Sequence, residues 1–152
     1  MAPRGGTGDN GADSLTFARE NRNMPLKPIE HADAAPEVRA VYDDIKAARN
    51  VPDVNNFWKM AAHHPPTLKR TWDSLKEVMA PGALDPLVKE MIFVAVSVTN
   101  GCDYCIRSHE AAARRAGMTD AQFGELMAVI GMANETNRLA KGYQVEIDEA
   151  LK

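Results

Sequence analysis

Cysteine is nearly absent from this chain: two in 152 residues, Cys102 and Cys105, three positions apart. A chain of this length buries a single core without covalent staples, so the pair is not needed to hold the fold. An excess of positive charge is also lacking. Eighteen basic residues stand against twenty-one acidic ones, a formal net charge of -3, so neither nucleic acid nor an anionic membrane surface is indicated as a partner. The N-terminus, MAPRGGTGDNGADSLTFARE, has no apolar run of signal-peptide or membrane-span length. With no export signal in view, the expected compartment is the cytoplasm, where thiols are kept reduced. A Cys-x-x-Cys pair there is more often catalytic, redox-active or metal-binding than structural.

What the chain does have is a succession of helical signals. Residues 1–23, rich in Gly, Asp and Asn, read as a flexible leader or an expression remnant, and 24–152 as one helical domain. Pro36 suits a first helical turn, Val38, Val41, Tyr42 and Ile45 follow at helical spacing, and Asn50 is the expected stop. A short second helix carries Phe57, Trp58 and Met60 and ends at Pro65-Pro66. Leu68, Trp72, Leu75 and Met79 make the stripe of a third, broken by Pro81-Gly82.

Asp85-Pro86 pairs an N-cap acceptor with a ring at the first helical position. The segment after it is apolar nearly all the way round from Met91 to Val98. Taken alone, IFVAVSV also suits a buried strand, but cap, length and helical neighbours predict a central helix. Asn100-Gly101 makes a turn into the next helix, which closes at Gly117. Thr119-Asp120 caps a helix with Phe123, Leu126, Met127 and Ile130, and a separate last helix runs through Leu139, Tyr143 and Val145. The expected fold is all-α, with six to seven helices and a helical hairpin carrying the site.

The chemistry concentrates in NGCDYCIRSHEAAARRAGM. On a helix Cys102, Cys105 and His109 fall within about 60° of one another, so both thiols and the imidazole share one stripe. Cys102 sits in the first turn, where unpaired N–H groups and the helix dipole stabilise a thiolate. His109, one turn past Cys105, is placed to take or relay its proton. Folding the hairpin about Asn100-Gly101 brings Glu90 to the level of His109, since each lies roughly ten residues from the turn at about 1.5 Å per residue. Glu90 is thereby placed to orient the imidazole or to pass protons to it.

Glu90, eleven intervening residues and then CDYCIRSH resemble the signature of the AhpD-like family, the alkylhydroperoxidase D branch of the carboxymuconolactone decarboxylase superfamily. The resemblance extends over most of 24–138, including AHHPPTLKRTWDSLKEVMAPGALDPLVKEMIFVAVSVTNGC and HEAAARRAGMTDAQ. It implies an all-helical domain, assembled as a homotrimer or homohexamer, that reduces hydroperoxides through thiols without a metal or cofactor. Carried onto this chain, Cys105 is the attacking thiolate, Cys102 the resolving partner, and His109 and Glu90 the proton relay. A thiol reductant, unidentified, restores the pair. The best-studied alkylhydroperoxidase members of the family have a histidine immediately before the second motif cysteine, where this chain has Tyr104.

By backbone physics alone Cys102 is the more exposed nucleophile, so the two thiol roles are open to exchange. Another alternative is a decarboxylase or lactone-processing enzyme of the same superfamily, in which His109 and Glu90 handle protons and the thiols are spectators. A further one, from a different class, is a redox-sensing or zinc-binding interaction module using Cys102, Cys105 and His109, with His63 or His64 as a fourth ligand. Two sulfurs on one helical face are not the usual zinc geometry.

Overall fold

A computed structural model describes residues 26–152, so the expected leader at 1–23 lies outside the described residues. Its elements are a 3-10 turn at His31–Asp33, then α1 (Pro36–Arg49), α2 (Asn56–Ala61), α3 (Pro65–Met79), α4 (Pro86–Asn100), α5 (Asp103–Arg115), α6 (Asp120–Gly142) and a closing 3-10 turn at Glu149–Leu151. No strand occurs among the described residues, and the fold is all-α. IFVAVSV is helical, within α4. No helix among the described residues is long and apolar enough to cross a membrane.

The chain divides into two compact units, one up to Pro65 and one from Pro66. In the first, α1 begins on Pro36 and stops at Asn50, whose left-handed backbone (φ 51°) turns its N–H back onto the Ala47 and Lys46 carbonyls. Val38, Tyr42 and Ile45, one face of α1, are buried, as are Val54, Trp58 and Ala62. The Tyr42 hydroxyl donates to the Ile29 carbonyl at 3.0 Å, which satisfies the polar atom of a buried ring.

Lys59 is a buried cation, and its ammonium is satisfied by Glu30 at 2.6 Å and Asp53 at 2.7 Å. Hydrogen bonding to Lys59 holds the Asp53 carboxyl below its ordinary 3.8. Hydrogen bonding to Asp53, then to Glu30, holds the Lys59 ammonium above its ordinary 10.5. Asp53 therefore contributes stability that is present above pH 3.8 and is lost as the pH falls through its lower folded value. Lys59 contributes stability that is present below pH 10.5 and is lost as the pH rises through its higher folded value. In thermal melts from pH 6 to pH 2, Asp53→Asn is expected to flatten the acid limb; a limb as steep as the wild type's would show that the pair is not its source.

In the second unit α4 packs against both α5 and α6. Asp85 accepts from the Leu87 N–H at 2.8 Å and starts α4 as the sequence predicts. Thr119 and Gln122 close a reciprocal capping box at the start of α6. The two helices expected after Thr119 are one continuous helix. Tyr143 caps its C-terminus and Val145 lies beyond it, so neither belongs to a separate helix. Polar residues that often interrupt helices are accommodated here: Asn134 donates to the Ile130 carbonyl at 2.9 Å, and the Thr136 hydroxyl to that of Met132 at 3.0 Å. Asn134 also donates to the Thr99 hydroxyl at 3.1 Å, tying α6 to the end of α4.

Candidate active site

The site is built on the hairpin of α4 and α5. Gly101, at φ 68°, adopts the left-handed conformation that ends α4, and the N–H of Cys102 returns to the Ser97 carbonyl at 3.0 Å. The reversal delivers Cys102 directly to the start of α5. It is the N-cap of α5, with non-helical backbone, and lies one position outside the first turn where the sequence places it. Its sulfur accepts from the Cys105 N–H at 3.3 Å, the role of a Ser or Asp oxygen in other caps. The two cysteines are joined as a disulfide, with Cα atoms 5.3 Å apart, and both are partly buried.

His109 lies one turn beyond Cys105 on α5, so the imidazole and the second sulfur project from the same face. Across the hairpin, Glu90 Oε2 stands 2.7 Å from His109 Nδ1. Their side chains retain only 18% and 15% exposure, so the contact is shielded from competing water. The pairing of Glu90 with His109 predicted from helix rise is thus present. A carboxylate oxygen accepts, so Nδ1 is the donor in this contact and Nε2 is the ring nitrogen not committed to Glu90.

One contact escapes the sequence reading. The Phe93 ring stacks on the His109 imidazole, with centroids 3.7 Å apart and planes 14° from parallel. The signal was available, because Phe93 follows Glu90 by three positions and shares its face of α4. Phe93 also lines a cleft of about 550 Å³ with Val78, Met79, Leu84, Ile92 and Val96. Lys89 borders it but spends its ammonium on the Val78 carbonyl at 2.8 Å and on that of Ala80, so the cleft wall is hydrocarbon.

The other candidates do different work. His63 belongs to the first unit, where Nε2 lies 2.8 Å from the Lys27 carbonyl. Among the described residues no group of three or more His, Cys, Asp or Glu side chains is arranged to hold a metal ion. Arg114 clamps the corner from α5 to α6, 2.6 Å from Asp120 and 5.1 Å above the Phe123 ring. The site can therefore hold two electrons as a dithiol and give them up on closing the disulfide, with an oriented imidazole one turn away.

Residues 65–145 match the carboxymuconolactone decarboxylase family. The alkyl hydroperoxide reductase AhpD of Azorhizobium caulinodans is 32% identical over 107 residues, 66% of this chain and 58% of that protein. That of Anaeromyxobacter dehalogenans is 32% identical over 125 residues, 76% of this chain and 64% of that one. The chain thus spans less than two thirds of the length of either relative. The crystal structure of the alkylhydroperoxidase AhpD core from Rhodospirillum rubrum superposes with a TM-score of 0.80 at 49% identity, covering 84% of this chain and 96% of that one. A matched family region of more than half the chain, an all-helical fold shared with that core and a Cys-x-x-Cys hairpin backed by Glu90 and His109 lead to one conclusion: the chain belongs to the carboxymuconolactone decarboxylase family, in its AhpD-like branch.

Proposed function

We propose that the protein is a thiol-dependent hydroperoxide reductase, a peroxidase-type enzyme that cycles Cys102 and Cys105 between dithiol and disulfide. The observation that carries this reading is the 2.7 Å contact of Glu90 with His109 on the hairpin that also holds the cysteine disulfide. In the reduced enzyme the Cys105 thiolate attacks the terminal peroxide oxygen. An S–O bond forms, the O–O bond breaks, and the alkoxide takes a proton through His109 to leave as an alcohol. The Cys102 thiolate then attacks the Cys105 sulfenic acid, forming the disulfide and releasing hydroxide, which is protonated to water. A dithiol reductant restores both thiols by exchange and is itself oxidised to a disulfide. Glu90 keeps the imidazole oriented through both half-reactions.

Homo-oligomeric assembly and a cytoplasmic location belong to the same reading. Val88, Ile92 and Val96 leave 41%, 48% and 53% of their surface exposed along α4 at four-residue spacing. A helix apolar on every side is a buried element, so further copies of the chain are the occupants we assign to this stripe. Mass spectrometry tests both parts on one sample. After reduction, one equivalent of an organic hydroperoxide is expected to leave the chain two hydrogens lighter and unable to take up the two thiol-blocking labels that the untreated reduced chain accepts, while native spectra show a trimer or hexamer. A chain that stays reduced would exclude the peroxidase reading, and a native monomer would exclude the assembly.

A further inference from the structure

Glu90 and Phe93 reach His109 from the same face of α4, and they restrain it differently. The carboxylate contact at 2.7 Å fixes the direction of Nδ1. A single hydrogen bond leaves the imidazole free to rock about the axis through that atom, and rocking swings Nε2 along an arc. A flat ring lying 3.7 Å away and 14° from parallel removes this freedom, because rocking drives the imidazole edge into the ring or opens a gap that forfeits the contact. One restraint sets where the ring points and the other sets its plane. Together they aim Nε2, the nitrogen not committed to Glu90, in one direction.

We infer that Phe93 is a positioning residue of the thiol site: it holds the plane of His109 so that Nε2 stays aimed for proton exchange with the cysteine chemistry. The inference rests on the peroxidase reading for its kinetic consequence and on the stack alone for its geometry. A flexible aliphatic side chain fills similar space but presents no flat face, so size alone does not substitute for Phe93. Its placement three residues after Glu90 makes α4 the rigid mount for both restraints, since helix positions three apart keep a fixed separation. Misplacing a reacting group by about 1 Å can cost on the order of 10²-fold in rate, so even partial loosening is measurable.

The test compares Phe93→Leu, Phe93→Tyr and Phe93→Trp with the wild type, each also in a His109→Gln background. In single-turnover oxidation of the reduced protein, Phe93→Leu is expected to lower the limiting rate about tenfold with half-saturation by hydroperoxide little changed. At least one of the aromatic replacements is expected to return the rate to within about threefold of wild type. Where His109 is Gln, Phe93→Leu is expected to slow the reaction no further, because its effect passes through the imidazole. Carbon–proton relaxation of the His109 ring provides a readout independent of peroxide. The wild type is expected to show a rigid ring and Phe93→Leu a ring moving with larger amplitude. Equal slowing in both backgrounds, or wild-type ring rigidity retained in Phe93→Leu, would overturn the inference. A wild type inert to hydroperoxide removes the peroxidase reading, and the ring relaxation then decides the role of Phe93.

Discussion

Cys105→Ser is expected to lower steady-state hydroperoxide reduction with a dithiol by on the order of 10³-fold or more. A serine hydroxyl stays protonated at neutral pH and cannot supply the soft anionic sulfur that cleaves an O–O bond. Cys102→Ser is expected to lose multiple turnover equally but to keep a single event. Cys105 gains one oxygen and stops as a sulfenic acid, because no second thiol remains to displace it. Thiol-blocked masses after one equivalent of hydroperoxide separate these outcomes directly. The pair of variants also settles a competition visible in the geometry. Cys102 caps α5 and accepts a backbone N–H, a setting that favours a thiolate at Cys102 rather than at Cys105. If the trapped sulfenic acid appears in Cys105→Ser and not in Cys102→Ser, the attacking and resolving roles are exchanged. Turnover undiminished in both variants would remove the thiols from the mechanism and bring forward the proton-handling chemistry of a decarboxylase.

The second large effect is expected at the relay. His109→Gln keeps a polar side chain of similar length but no group that takes up a proton near neutral pH, and single-turnover oxidation is expected to fall by about 10²-fold or more. Glu90→Leu is expected to cost less, because the imidazole remains and only its partner is lost. The double variant is expected to be no slower than His109→Gln, as holds when one residue acts solely through another. Additive losses in the double variant would mean that Glu90 contacts the reaction independently. Stability should register the contact as well. Glu90→Leu leaves the partly buried imidazole without its partner, a cost of about 1–3 kcal/mol, readable as a lowered midpoint in urea.

Local rules carried most of the fold. Asp85 and Thr119 cap the helices that they precede, Asn50 and Gly101 take the left-handed backbone where α1 and α4 end, and Pro36 and Pro86 stand at the first helical positions. These features depend on residues within a few positions of one another, so they can be read without knowing the tertiary arrangement. The meeting of Glu90 with His109 was legible for a related reason. A tight turn between two helices fixes register by rise alone, and similar distances from Gly101 imply similar height.

Two departures show where local reading stops. A break was expected between Ile130 and Leu139, yet α6 runs through, because Asn134 and Thr136 bond to carbonyls of the preceding turn instead of ending the helix. Whether a polar side chain turns inward to its own helix or outward to cap it depends on its surroundings, here the neighbouring Thr99. Cys102 stands just outside α5, although helical spacing would have included it, because the path from Gly101 determines where helical dihedrals begin.

By itself, then, the sequence determined the helices up to α5, most of their caps, the hairpin and the pairing of a carboxylate with an imidazole beside two cysteines. All of these follow from periodicity and short-range hydrogen bonding. Only the tertiary structure decided that Phe93 stacks on His109, that Cys102 caps α5 through its sulfur, and that α4 turns Ile92 and Val96 outward while Val94 is buried. Those outcomes depend on how one helix is rotated about its axis against another. A segment apolar nearly all the way round offers several rotations of similar hydrophobic content, and packing against α5 and α6 selected among them.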